Sequence, residues 1–459
     1  MNKIQITILW ICLALIIAAF GTAVYRFCLM KSVPLEATQN EQVLSILKLN
    51  DCFVCHSSDA QLPFYASFPI IGSMMNEHIV RAQKNFSLDK YKDGISNFSE
   101  ADISQMLYTV AMDDMPISQY KMIHWGTGFD SDEKAILTDW IDYVNSKYSN
   151  GLASYNFKNE PIQPIVDAID VDSDKAALGF KLYYDTRLSK DGTISCASCH
   201  ILEKGGVSNP AYRTSEGING QFGGVNAPTV YNAYFNVQQF WNGRAANLAE
   251  QAAGPPVNPV EMGDWSWDDI VNGLRKDKAL VREFDNLYPG EGLTASTVCN
   301  AIAEFEKTLI TPNAPFDRYL KGDSAAVTEL EKEGYELFKQ NKCATCHAGQ
   351  AIGGLDFAYL GIHNDYFADR DSSISCGADD RGLASFTGNA SDEFKFKTPT
   401  LRNVALTAPY FHDGSQATLE DAVKAMFKYE SGTSYFDSDI ESIVAFLNSL
   451  TGENKYMAK

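Results

Sequence analysis

One short pattern, Cys-x-x-Cys-His, occurs three times in this chain, as Cys52 to His56, Cys196 to His200 and Cys343 to His347. Two thiols three residues apart can bond the two vinyl groups of a haem, and the adjacent His then coordinates the iron from one side. A zinc site would gather four ligands in pairs, and a redox Cys-x-x-Cys needs no His after each pair. The pattern therefore predicts three covalently bound c-type haems, attached at Cys52 and Cys55, Cys196 and Cys199, and Cys343 and Cys346, with His56, His200 and His347 as proximal ligands. Each haem needs its own helical wrapping, and 459 residues are enough for a haem domain around each at ~100–200 residues per domain.

Haem attachment of this kind takes place outside the bacterial cytoplasm. Ile4 to Tyr25 is a charge-free run, long enough as a helix rising ~1.5 Å per residue to cross the ~30 Å hydrocarbon core. It is too long for the ~7–15-residue core of a cleaved signal, although Ala19-Phe20-Gly21 loosely resembles a cleavage site. The expectation is one transmembrane helix in a bacterial inner membrane, with everything after about Lys31 in the periplasm. The flanking Lys3, Arg26 and Lys31 are too few to set orientation alone. With 38 Lys+Arg against 58 Asp+Glu the net charge is −20, which excludes a nucleic-acid partner, since phosphate binding depends on clustered cations. Of the four remaining cysteines, Cys12 and Cys28 lie in or beside the anchor, while Cys299 and Cys376 are free to pair in an oxidising compartment.

A stretch between Asn150 and Pro164, with Gly151 and Pro161, reads as a linker. Before it, Ile103, Met106, Leu107 and Val110 follow helical spacing, as do Leu137, Trp140, Ile141 and Val144. Beyond it, Gly179-Phe180-Lys181-Leu182-Tyr183 and Gly334-Tyr335-Glu336-Leu337-Phe338 form a partial repeat, each preceding a haem motif. Ile440, Ile443, Val444 and Leu447 make a closing helix, and the Gly-rich stretch 217–224 reads as a loop. The predicted fold is mainly α: an anchor over 1–31, then three cytochrome c-like haem domains over 32–155, 156–325 and 326–459.

Function depends on the face of each iron opposite its proximal His: a sixth ligand makes an electron-transfer haem, an open face a reactive one. The remaining histidines are His78, His124, His363 and His412, and none lies between the second motif and its long downstream loop. That leaves the haem of His200 as the candidate for an open face.

From about Pro164 to Leu450 the chain resembles the bacterial di-haem cytochrome c peroxidases. The likeness rests on Leu182 to Leu188, the Cys196 motif, Asn226-Ala227-Pro228-Thr229, Gln239 to Arg244, Thr398 to Asn403, and Ala408 to Gly414. With the N-terminal haem domain and anchor, the whole resembles the tri-haem, membrane-bound quinol peroxidases of that family. The resemblance implies a peroxidatic haem on His200 and an electron-transfer haem on His347. It places the catalytic acid/base at Glu261, a distal-pocket amide at Gln251, and a tryptophan between the two haems at Trp241. A carboxylate beside an otherwise apolar distal face can take a proton from the iron-bound oxygen and return it to the leaving one. Met426 matches the family's Met ligand to the electron-transfer haem, where a thioether raises the potential; without the resemblance it reads as a core Met on one face with Leu419, Ala422 and Val423. Asn226, Thr407 and Pro409 match the positions that hold a calcium ion, in keeping with hard oxygen ligation.

One departure stands out. Many family members carry a distal His that blocks the peroxidatic iron until the other haem is reduced, and the aligned residue here is Ile218, which cannot ligate. Residues 40 to 145 resemble a separate small haem-binding module through Cys52 to Ser57, Asn85-Phe86-Ser87 and Asp114-Met115-Pro116. There Met115 is the choice for the face opposite His56, with His78, His124, Met74 and Met75 as rivals. The expected activity is reduction of hydrogen peroxide to water with electrons from quinol, ubiquinol or menaquinol, or from a small soluble cytochrome c. Two other classes compete. A non-enzymatic electron conduit disagrees with Ile218 and the Gln251/Glu261 pair. An enzyme that oxidises tryptophans on a partner protein has, by the same resemblance, Tyr where position 426 is Met.

Overall fold

The computed structural model describes all residues except 1–2, 30–32, 35, 125–126 and 458–459. The chain divides into two compact units, Met1–Lys147 and Tyr148–Lys459. Apart from one two-stranded ribbon the regular elements are helical.

In the first unit, helix α1 spans Lys3–Leu29. Among the described residues no helix is long and apolar enough to cross a membrane. This corrects the expected transmembrane helix and with it the single-pass inner-membrane placement. The flanking Lys3, Arg26 and Lys31 and the anchor cysteine Cys28 lie outside the described side chains.

Helices α2 (Gln39–Leu49), α3 (Glu100–Met112) and α4 (Ser131–Tyr148) build the core of this unit. Thr38 and Ser99 start α2 and α3 with reciprocal capping boxes to Glu41 and Asp102, which satisfy N–H groups the first turn leaves open. Leu137, Trp140, Ile141 and Val144 of α4 and Ile103 and Met106 of α3 are buried, while Leu107 and Val110 pack at the edge. Full burial of each such aliphatic side chain stabilises by roughly 1.5–3 kcal/mol.

The second unit is framed by two helix crossings. Helix α5 (Ser173–Tyr183) packs on α7 (Ala295–Lys307), with the short α6 (Leu248–Ala252) beside α7; α8 (Glu329–Gln340) packs on α10 (Asp437–Asn448), with α9 (Leu419–Met426) beside α10. The sequence repeat has its cause here. A Cβ on Gly179 would stand 1.9 Å from Ala301 O, and one on Gly334 1.8 Å from Ser442 O, so each glycine lets its helix touch the backbone of its partner. Between the crossings lie long loops and an antiparallel ribbon, β1 (Phe357–Tyr359) and β2 (Lys395–Lys397), in the register Phe357 to Lys397 and Tyr359 to Lys395. Residues 218–220 form one 3-10 turn in the Gly-rich loop. Arg402 and Asp317, both fully buried, pair at 2.8 Å, and Arg402 also donates to the carbonyls of Gln163 and Gln350. Removing one partner of such a pair costs about 3–5 kcal/mol, because the other charge is left buried. Cys299 and Cys376 are both free thiols; Cys299 is buried inside α7.

Candidate functional site

Each Cys-x-x-Cys-His begins on a short helical turn: Cys52–His56, Cys196–Cys199 and Cys343–Thr345. That geometry brings thiols three positions apart to one face, and all six are unpaired. His56 Nδ1 lies 2.7 Å from Phe86 O and His200 Nδ1 3.3 Å from Gly206 O. An Nδ1–H donating to a carbonyl leaves Nε2 as the lone-pair nitrogen. Tyr183 holds the second motif from behind, donating through its hydroxyl to His200 O at 2.7 Å. Burial lowers the pKa of all three imidazoles, His347 to about 4, so each is neutral at physiological pH, as an iron ligand must be. Paired free thiols next to a neutral imidazole fit covalent haem.

Around the second motif the structure brings distant residues together. Ile218 N–H donates to Glu261 O at 3.0 Å, and a Cβ on Gly217 would meet Val260 O at 2.0 Å, so the Gly-rich turn lies directly on the loop of the acid. The Ile218 side chain is 5% exposed, and its Cδ1 abuts Gly263. Glu261 Oε1 accepts from Asn258 Nδ2 at 2.8 Å. Burial pushes the Glu261 carboxyl above the usual carboxylate range; the positive Arg244 pulls it back and Asp379 adds to the rise. Its charge in turn helps raise the Cys199 thiol to about 11, after burial itself. The turn on which the Glu261 loop packs also reaches the second motif, the Glu216 carbonyl accepting from Cys199 Sγ at 3.9 Å. The Arg244 guanidinium caps the Phe240 ring at 3.4 Å from its centroid, an arrangement that fixes a planar cation against an aromatic face.

Gln251, on α6, is partly buried, and no hydrogen bond joins its side chain to Glu261 among the described residues. Trp241 Nε1–H donates to Asn226 O at 2.8 Å, and its ring meets His412 edge-on at 6.4 Å. Asn226 N–H donates to His412 O at 2.7 Å, and Asn226 Nδ2 to the carbonyls of Arg213 at 3.1 Å and Pro409 at 3.0 Å. Asn226 and Pro409 are thus adjacent, an amide and a carbonyl of the hard-oxygen type that suits calcium. Thr407 is not hydrogen-bonded to Asn226; its hydroxyl donates to Val404 O. Met426 is partly buried at the last position of α9, where the helix passes into a π-turn over Phe427–Ser431, a distortion common at functional sites.

In the first unit Met115 is partly buried in the segment after α3. Among its rivals, His124 has both ring nitrogens engaged, one by the Tyr65 hydroxyl and the other by Asp51 Oδ2 at 3.3 Å, and its ring stacks on Tyr120. Met74 is exposed and Met75 buried; His78 is partly buried. Asn258, Arg244 and Asp379 were not singled out from the sequence. The only local signal was Asn258, three residues before Glu261.

Three family descriptions match in order along the chain: a haem-binding domain over residues 25–143, a di-haem cytochrome c peroxidase over 173–325 and a cytochrome c over 331–451. Cytochrome c peroxidase Ccp of Escherichia coli K12 is 43% identical over 420 residues, 90% of this chain and 88% of the relative. Cytochrome c551 peroxidase of Nitrosomonas europaea is 44% identical over 296 residues, 64% of this chain and 85% of its own length. The crystal structure of a MauG-like protein associated with microbial copper homeostasis superposes with a TM-score of 0.55 at 27% identity, covering 64% of this chain and 94% of that one.

Proposed function

As a member of the di-haem cytochrome c peroxidase family, the chain is a haem-dependent oxidoreductase acting on peroxide, and we propose that it reduces hydrogen peroxide to water with electrons passed through three c-type haems. The observation that carries this reading is the placement of Glu261: its loop lies on the turn of Gly217 and Ile218, whose neighbour Glu216 accepts from Cys199 of the second motif at 3.9 Å, and burial raises its carboxyl. The bound haem supplies the iron that takes up the peroxide and the electrons that cleave its O–O bond.

The chain's own groups move the protons. Glu261, steadied by the Asn258 amide, takes the proton of the inner peroxide oxygen and returns it to the outer one, so that the leaving group departs as water. Two protons from solvent and two electrons from the donor then complete the conversion of one peroxide to two waters. Gln251 orients the peroxide as a hydrogen-bonding amide. Trp241 would carry electrons between the haems held by His347 and His200, and Met426 and Met115 would be the second protein ligands to the irons held by His347 and His56. Asn226, Thr407 and Pro409 would supply the oxygens for one calcium ion, and residues 156–325 and 326–459 would form the two haem domains of the second unit.

Electrons enter at the haem of His56, from quinol or from a small cytochrome c. Exposed apolar residues of that unit, Phe64 at 80% and Ile70 at 77%, support a hydrophobic donor; the net charge of −20 supports a basic cytochrome. The deciding experiment is peroxide-dependent oxidation of a soluble quinol and of reduced cytochrome c by the haem-loaded protein. E261Q should lower kcat about 10²–10⁴-fold with unchanged haem content. Failure of both donors to support turnover would sink the peroxidase reading, and full activity in E261Q would remove Glu261 from it.

A further inference from the structure

Lysine is rarely buried unless paired, yet Lys397, the last residue of β2, is 5% exposed and has no hydrogen-bond or ion-pair partner for its ammonium among the described residues. Burial alone pulls its pKa down, to about 8. Enclosing a lysine is unfavourable unless an anion meets its ammonium.

Its place in the fold indicates which anion. Side chains alternate along a strand: Phe396 stacks on His412 at 4.2 Å, so Lys397 projects to the opposite side of the ribbon, away from the carboxylates of Asp380 and Asp413 that surround His412. Lys397 N–H donates to Trp241 O at 2.8 Å. The residues that follow lead to the third haem motif. Thr398 N–H donates to Asp356 O, Asp356 lies close enough to Cys346 to raise its thiol, and the Pro399 and Ile352 backbones flank the His347 ring. The Asp356 carboxylate is engaged by its own loop, its Oδ1 accepting from Phe357 N–H at 2.7 Å.

Resting on the reading of Cys343–His347 as a haem site, we propose that Lys397 is the buried counter-ion of a carboxylate of the haem attached there, placed against the backbone of Trp241. The cation neutralises a propionate that would otherwise be desolvated and raises the potential of the iron, because a fixed positive charge disfavours the oxidised state. It also ties the rim of that haem to the aromatic residue read as the inter-haem bridge.

The test uses haem-loaded full-length protein and the variants K397M and K397R. Haem content is counted first, then each haem is titrated potentiometrically and its propionate bending modes are read by resonance Raman. Expected are full haem content in both variants, a lowered midpoint potential of the His347 haem with an altered propionate band in K397M, and values near wild type in K397R. An unchanged potential and band in haem-replete K397M overturns the assignment. So does a wild-type potential that shifts when chloride and phosphate are exchanged for bulky anions, which would make the partner a free inorganic ion. Loss of haem from K397M alone, with K397R replete and wild-type-like, supports the pairing by rescue. Peroxide turnover of the wild type, measured on the same samples, judges the function reading separately.

Discussion

At the scale of single residues, the distal side proposed for the second motif turns on Ile218 and Glu261. Ile218 is buried and offers no ligand, so the oxidised protein should show a five-coordinate or water-bound haem by absorption and electron paramagnetic resonance. I218H should convert this to a low-spin, two-imidazole spectrum; a bis-histidine signal already present in the wild type contradicts the reading. Arg244 works against burial at Glu261. R244M should therefore raise the pKa seen in the pH profile of kcat/KM while leaving haem content unchanged. Glu261 could be picked out by family likeness, but its electrostatic neighbours could not, because Arg244 and Asp379 reach it across loops that carry no periodic pattern. Lys397 was hidden for a different reason: composition rules assign lysine to the surface, and only the register of β2 shows that it is enclosed.

At the scale of elements, the two glycine crossings bear most of the frame. G334A places a methyl where α8 touches the Ser442 carbonyl, and overpacking of this kind should cost about 1–3 kcal/mol in urea unfolding followed by circular dichroism. The repeat was legible as matching letters, whereas its cause, backbone against backbone, appears only once the partner helix is in place. Helix α4 was legible for the opposite reason, since Leu137, Trp140, Ile141 and Val144 are both periodic and buried. Helix α7 adds a pH term. Glu306 is 5% exposed, its Oε2 has no partner, and burial raises its pKa to about 8. The folded state thus keeps a proton that the unfolded chain releases near 4.5. Stability is unaffected by this group below that value and falls as pH rises toward about 8. E306Q, which cannot ionise, should match the wild-type Tm at pH 4 and exceed it at pH 8 and above.

At the scale of the whole molecule, charge and time are the properties to measure. With a net charge of −20, association with a basic cytochrome should be steered electrostatically, and kcat/KM should fall about 10-fold or more between low and high ionic strength; oxidation of a neutral quinol should not. The order of the haem motifs along the chain was legible because covalent attachment demands fixed spacing. The membrane placement was not, because an apolar run in a sequence is only a length of chain. Buried Ile218 also bears on timing. On the proposed reading, in which Ile218 stands where relatives carry a displaceable imidazole, the first turnover should be no slower than those that follow, and progress curves begun from fully oxidised protein should rise without a lag. Such a protein would meet a sudden pulse of oxidant at full speed, with no priming electron spent in advance.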